Sequence, residues 1–209
     1  MSKPLENSMS SESVCAMNEV NSGQQETKRL PGDLAMWFFI LAELTVFAIL
    51  FLGFAVSEQL NMEMFTAGKA QLHQIAGLIN TLTLITSSFF VALALNAMHK
   101  GEGRKSAMLL LIAKLVACVY LAVKIWEYLS LFEQNIGIET NTFFTLYFMI
   151  TFFHLMHILL GMFILAFVAV KAAKNGYNSS NISGFESGAS YWHMVDMLWI
   201  ILFPLIYVI

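Results

Sequence analysis

Residues 142–170 read TFFTLYFMITFFHLMHILLGMFILAFVAV, and this stretch decides the fold. It contains no Asp, Glu, Lys or Arg. At about 1.5 Å per residue, a helix of this length crosses a bilayer with turns to spare. His154, His157 and Gly161 follow one another at spacings of three and four, so they lie on one helical face. Because polar groups at mid-membrane are costly, we expect this face to meet other helices rather than lipid.

The composition is that of an integral membrane protein. Of the 209 residues, 58% are hydrophobic and 12% are charged, whereas an ordinary soluble domain carries about 25% charged residues. The net charge of −3 argues against nucleic acid as a partner, because nucleic-acid binding needs clusters of basic residues. Cys15 lies in a polar segment and Cys118 in an apolar one, so the sequence predicts no disulfide framework.

The N-terminal segment differs sharply from the rest of the chain. Residues 1–30 are rich in Ser, Asn, Glu and Gln and contain no long apolar run. This composition predicts a disordered polar tail rather than a cleavable signal peptide. The membrane domain is expected to cover residues 31–209, with Asp33 as the N-cap of its first helix.

Hydropathy predicts an all-α bundle of five membrane-spanning helices. Lys and Arg concentrate in the N-terminal tail and in the second and fourth loops, whereas the first loop holds only Lys69. The positive-inside rule therefore places the N-terminus in the cytoplasm and the C-terminus outside. The expected spans cover residues 34–56, 75–98, 106–131, 142–170 and 191–209.

Glu43 is the only charged residue inside the first span. It lies about 15 Å from the cytoplasmic end of its helix, a depth that His157 can share. We therefore expect Glu43 to contact His154 or His157 inside the bundle. Such a contact could be a proton site, since a desolvated carboxylate and imidazole both titrate near neutrality. The residues favour a structural clamp between helices, worth about 0.6–2 kcal/mol.

The third span carries more charge than the others. Lys124 and Glu127 are spaced to neutralise one another on one helical face, and we expect them to form an ion pair that packs helices together. Lys114 is expected to extend toward the membrane surface, or to meet a lipid phosphate or a carboxylate of a partner.

The last span carries a second pair of polar residues. His193 and Asp196 share a face near its predicted cytoplasmic end. They could relay protons, bind a lipid headgroup or tie the helix to its neighbours, and the sequence leaves these alternatives open. A haem with two histidine ligands needs them on opposing helices, whereas His154 and His157 share one. We therefore expect no catalytic residue, metal ion or haem in this chain.

Taken together, the motifs resemble subunit III of the haem-copper oxidases, over a region from about Pro31 to Ile209. They occur in the order found in that family. In chain order they are Trp37 and Glu43, Asn80-Thr81 with Ser87-Ser88, Glu127-Tyr128, His154 with His157 and Gly161, and Tyr191-Trp192-His193 with Asp196 and Trp199.

The resemblance implies a non-catalytic subunit of a respiratory oxidoreductase complex in a bacterial inner membrane. Haem, with copper or iron, would belong to the catalytic subunit I, which subunit III flanks. The chain would bind phospholipid and support assembly, proton uptake and stable turnover during aerobic electron transport, in a cytochrome c or quinol oxidase. Glu43, His154, His157, His193 and Asp196 would form its internal polar set.

Departures from the family pattern suggest alternatives. Larger family members have seven spans, whereas five-span members are similar to subunit III of bo-type quinol oxidases and to small proteins associated with nitric oxide reductases. Phe152 and Leu155 stand where the classical oxidase subunit usually has glycines, and Lys124 where it often has glutamine; these changes lean toward the nitric-oxide-reductase-associated branch. A small proton-coupled transporter is disfavoured because no inverted repeat is visible. A free-standing haem b cytochrome is disfavoured by the ligand geometry.

Overall fold

The computed structural model describes residues 34–174 and 182–208, and within these ranges all the regular structure is helical. All the helices except α2 are long and apolar enough to cross a membrane, which confirms the predicted five-span, all-α fold. The predicted tail, residues 1–30, and the predicted N-cap Asp33 lie outside the described residues, and the orientation in the membrane stays a prediction. In chain order the helices are α1 (Leu34–Leu60), α2 (Met62–Ala70), α3 (Gln74–His99), α4 (Gly103–Glu133), α5 (Thr142–Ala173) and α6 (Ser183–Tyr207).

The short helix α2 was not predicted, because hydropathy assigns its residues to a loop. It is held by its aromatic face, where the fully buried Phe65 ring lies 5.2 Å from the ring of Phe54 and 5.3 Å from that of Phe143. On its last turn Lys69 pairs with Glu58 of α1. The α2 helix therefore packs over one end of the bundle, against α1 and α5.

Helix α6 begins at Ser183, well before Tyr191, where the sequence predicted the last span to start. Serines and glycines lower the mean hydropathy of residues 183–190, so the hydropathy pattern does not predict a membrane helix there. Packing stabilises it instead, because Phe185 is fully buried. A Cβ atom on Gly188 would lie 3.2 Å from side-chain atoms of α5, so the two helices approach closely.

Helix α5 is the centre of the bundle and packs against every other helix except α3 by substantial contacts. Its start is fixed by Asn141, whose Oδ1 accepts a hydrogen bond from the Phe144 backbone N–H at 2.9 Å. At Gly161 an added Cβ would lie 2.9 Å from Trp192 of α6, so glycine is what allows α5 and α6 to approach here.

Helix α1 is peripheral. Within its most apolar stretch only 17% of the residues are buried, compared with 56% in α6. It packs against α5 and α6 along one side and leaves the other side open. The polar residue that it does direct inward, Glu43, lies on the packed side.

Candidate functional site

A buried polar cluster joins three helices at the end of the bundle where α4 ends, α5 begins and α6 ends. We call Lys124, Glu127, Tyr147 and Tyr207 the Lys124 cluster. Lys124 and Glu127 are both fully buried, and Nζ of Lys124 lies 2.9 Å from Oε2 of Glu127. The same ammonium donates to the hydroxyls of Tyr147, at 3.1 Å, and Tyr207, at 2.9 Å. All three ammonium protons thus have an acceptor, and Lys124 and Glu127 lie at ion-pair distance.

The tyrosines complete the neutralisation of this cluster. The Tyr207 hydroxyl lies 2.8 Å and 2.9 Å from the two oxygens of Glu127, so it donates to the carboxylate while it accepts from the lysine. Aromatic faces surround the ammonium at distances typical of cation–π contacts. The ring centroids lie 5.1 Å (Tyr128), 4.8 Å (Tyr147), 5.5 Å (Trp199) and 5.6 Å (Tyr207) from Nζ.

A second polar contact joins α1 to α5 near the middle of the bundle. Nε2 of His157 lies 3.0 Å from Oε2 of Glu43, so the predicted contact of Glu43 with an α5 histidine is present, through His157. Nδ1 of the same ring lies 2.8 Å from the backbone oxygen of Phe153. Because a carbonyl oxygen only accepts, Nδ1 carries a proton. The hydrogen bond between Glu43 and His157 then needs one further proton, held by either the carboxyl or Nε2.

His154, the other histidine that the prediction allowed, does not share this contact. Three residues along a helix turn the side chain by about 60° relative to its neighbour, so His154 is directed away from Glu43 and toward α4 and α6. It is fully buried, and its ring lies 6.1 Å from that of Tyr120 and 5.2 Å from that of Trp199. Among the described residues, neither ring nitrogen of His154 nor the Tyr120 hydroxyl has a hydrogen-bond partner.

The polar pair of the last span meets α3. Nδ1 of His193 lies 2.6 Å from Oγ of Ser88, and the carboxylate of Asp196 is within reach of the same hydroxyl. Two turns of α6 further along, Trp199 Nε1 donates to Oγ1 of Thr81 at 3.0 Å. His193 and Asp196 therefore come together on one face, as their spacing predicted. The partners Ser88 and Thr81 belong to the polar motif of the second span, which was the signal that could have identified them.

A cleft of about 350 Å³ opens between α1 and α6. Its walls are almost wholly apolar. Nothing charged lines it apart from the ionisable ring of His193. The lining residues are Trp37, Ile40, Leu44, Ser190, His193, Met194, Met197, Leu198 and Ile201.

The remaining question for the site is what its polar groups can bind. In the part of the chain that the structure describes, no three His, Cys, Asp or Glu side chains are close enough together to hold a metal ion. The arrangement instead offers polar contacts between helices, among them the Lys124 cluster, the Glu43–His157 pair and the contact of Ser88 with His193. Whether these groups move protons or bind lipid stays a prediction.

The sequence of the chain is similar to those of a family of known proteins. The family model for cytochrome c oxidase subunit III matches residues 17–209, which include all the helices. The chain is 29% identical over 177 residues to cytochrome c oxidase subunit 3 of Thermostichus vulcanus, covering 84% of this chain and 86% of that protein. It is 27% identical over 188 residues to quinol oxidase subunit 3 of Bacillus subtilis, with 88% and 89% covered.

A third relative covers nearly the whole chain. Cytochrome bo(3) ubiquinol oxidase subunit 3 of Buchnera aphidicola is 24% identical over 204 residues, 97% of each protein. None of these three relatives is named for a nitric oxide reductase. The lean toward the nitric-oxide-reductase-associated branch therefore gains no support from them and stays a prediction.

Proposed function

The chain belongs to the cytochrome c oxidase subunit III family, and from this premise we propose that it flanks the haem-bearing catalytic subunit of its complex as a non-catalytic support. It is a subunit III-like component of a respiratory haem-copper oxidase and a multi-pass protein of a bacterial inner membrane. As such it associates with other oxidase subunits. Haem and copper, or iron, would be held by the catalytic subunit and not by this chain.

The observation that carries the proposal is the extent of the family match together with the kind of polar groups inside the bundle. The match runs through every helix. The polar contacts described above join neighbouring helices, as expected of a protein whose interior polar groups stabilise the bundle. Such contacts are worth about 0.6–1.7 kcal/mol each within a membrane bundle.

Two finer roles follow from the geometry. The Glu43–His157 contact holds one proton between its two groups, and the Glu43 side chain is 21% exposed, so we propose that the contact supports proton uptake by the complex. The apolar cleft between α1 and α6 would take a phospholipid chain. Both roles are supported by the contacts described above and by the family premise.

Purification of the affinity-tagged chain in mild detergent tests the main proposal. We expect a large haem-bearing subunit to be recovered in equal amount, identified by mass spectrometry and by its visible spectrum. A Soret band from the isolated chain, free of other subunits, would contradict the proposal. The identity of the recovered subunit also separates an oxygen-reducing from a nitric-oxide-reducing complex.

The proton role needs a variant that changes the proton and keeps the shape. We expect Glu43→Gln to leave recovery of the complex unchanged and to slow proton uptake during turnover, followed with a pH indicator in vesicles. Thr45→Val is the matched control, because the Thr45 hydroxyl bonds only to the carbonyl of Leu41 on its own helix. Unchanged proton uptake in Glu43→Gln would leave the contact as a structural clamp alone.

A further inference from the structure

Lys114 is a charged residue inside a membrane span that the described part of the chain does not neutralise. It is half-buried on α4, and no described side chain forms an ion pair or hydrogen bond with it. Lys124, the other lysine deep in α4, has a very different environment. It is fully buried and has a carboxylate and two hydroxyls around its ammonium.

The depth of Lys114 limits what can meet it. Helix α4 begins at Gly103, and the basic residues Arg104 and Lys105 of its first turn mark the membrane surface. Lys114 lies about 13 Å further along the helix axis than Lys105. The side chain leans toward the start of the helix, but it is shorter than this distance. A lipid phosphate stays at the surface, whereas a carboxylate on a neighbouring helix can lie at any depth.

The surroundings of Lys114 are those of a helix-packing face. Leu111 and Leu115 are exposed beside it, and Cys118, one turn further on, is exposed as well. A small residue such as cysteine lets another helix approach closely. Charged groups at this depth pair with one another or face a protein interior, and this chain supplies no such partner from its described residues.

We propose that the α4 face formed by Leu111, Lys114, Leu115 and Cys118 docks a transmembrane helix of another subunit that presents an Asp or Glu at the depth of Lys114. The inference rests on the proposed function, because it needs a complex with further membrane subunits. The chemistry of the docked helix is inferred from charge complementarity with Lys114. A lysine without a counter-charge among the described residues is matched by an acidic side chain in the partner.

Recovery of the complex from variants of the tagged full-length chain tests the charge. We expect Lys114→Met to reduce recovery of the haem-bearing subunit at least about tenfold, because truncation leaves the partner carboxylate buried and unpaired. Lys114→Arg keeps the charge and should recover the subunit to within about twofold. Phe163→Leu, at an exposed position of α5 outside the proposed face, is the control and should behave as wild type.

Wild-type recovery separates the two proposals. If the unaltered chain recovers no other subunit, the proposed function fails. If the unaltered chain recovers the complex and Lys114→Met recovers it equally well, only the docking inference is overturned.

Photocross-linking tests the face independently of stability. A benzophenone-bearing amino acid, incorporated at position 118 during synthesis, should join this chain to another subunit in the assembled complex. The matched control incorporates it at position 163, since Phe163 is exposed on α5, and should yield lipid adducts only. Lipid adducts alone from position 118, or a subunit cross-link from position 163 in place of position 118, would overturn the inference.

Discussion

Ionisable groups have very different hydrogen-bond partners in the Lys124 cluster and in the middle of the bundle. In the Lys124 cluster a full ion pair is surrounded by hydroxyls and ring faces, and the ammonium donates to three acceptors. In the middle, Glu43 and His157 share one proton, and His154 is buried with no hydrogen-bond partner among the described residues. The first arrangement holds both charges by several hydrogen bonds, whereas in the second one hydrogen bond joins Glu43 to His157 and His154 is held by packing.

The largest test of this comparison removes one charge from the Lys124 cluster. We expect Glu127→Leu to destabilise the chain by about 3–5 kcal/mol, because it leaves a buried ammonium without a counter-charge. The double variant Lys124→Met with Glu127→Leu removes both charges and should regain most of that loss. Denaturant unfolding in detergent, followed by circular dichroism, measures both. A single variant as stable as wild type would show that the ion pair carries no structural weight.

The Tyr207 hydroxyl is the next largest contribution, because it bonds to both charged groups. Tyr207→Phe should cost about 1.5–3 kcal/mol, the range for hydrogen bonds to charged groups. Tyr191→Phe is the control, since its hydroxyl reaches only the backbone oxygen of His157 at 3.4 Å. In the same unfolding measurement, Tyr207→Phe should lower the free energy of unfolding much more than Tyr191→Phe does. Equal losses would mean that the hydroxyl is not what closes the cluster.

We expect the stability of the middle of the bundle to depend on close packing between helices rather than on hydrogen bonds. Gly161→Ala places a Cβ 2.9 Å from Trp192, and we expect a loss of about 1–3 kcal/mol from overpacking. Gly53→Ala is the matched control, because an added Cβ there meets nothing within 4 Å. Retention of full thermal stability by Gly161→Ala would show that α5 and α6 can separate at low cost.

The smallest effect separates the two histidines of α5. His157→Phe breaks the contact with Glu43 and should cost about 0.6–1.7 kcal/mol. His154→Phe replaces a ring without hydrogen-bond partners among described residues by an apolar one, and should be neutral or slightly stabilising. Comparison of the unfolding midpoints of the two variants shows which histidine contributes more to stability. A larger loss at His154 than at His157 would reverse the assignment of roles.

Much of this arrangement was predictable from local patterns. The helix spans follow from hydropathy, and the Lys124–Glu127 pair follows from a spacing that puts both residues on one face. The contact of Glu43 with His157 follows from matching depths in two spans. Each of these predictions uses residues on one helix, or a single coordinate along the membrane normal.

The parts that could not be predicted depend on packing between helices. Tyr147 and Tyr207 lie near helix ends, where tyrosine is expected at the membrane surface, and only the bundle brings them to Lys124. The direction of His154 depends on how α5 is rotated against α1. The start of α6 rests on Phe185 and Gly188 packed against α5, which hydropathy does not detect.

The position of Tyr207 in the last turn of α6 also orders events during synthesis. Helices α4 and α5 leave the ribosome before α6, so Lys124 and Glu127 enter the membrane without the Tyr207 hydroxyl. That hydroxyl, which bonds to both charges, arrives with the last turn of α6. Growing chains halted before this residue should therefore be more readily extracted and degraded than chains that include it.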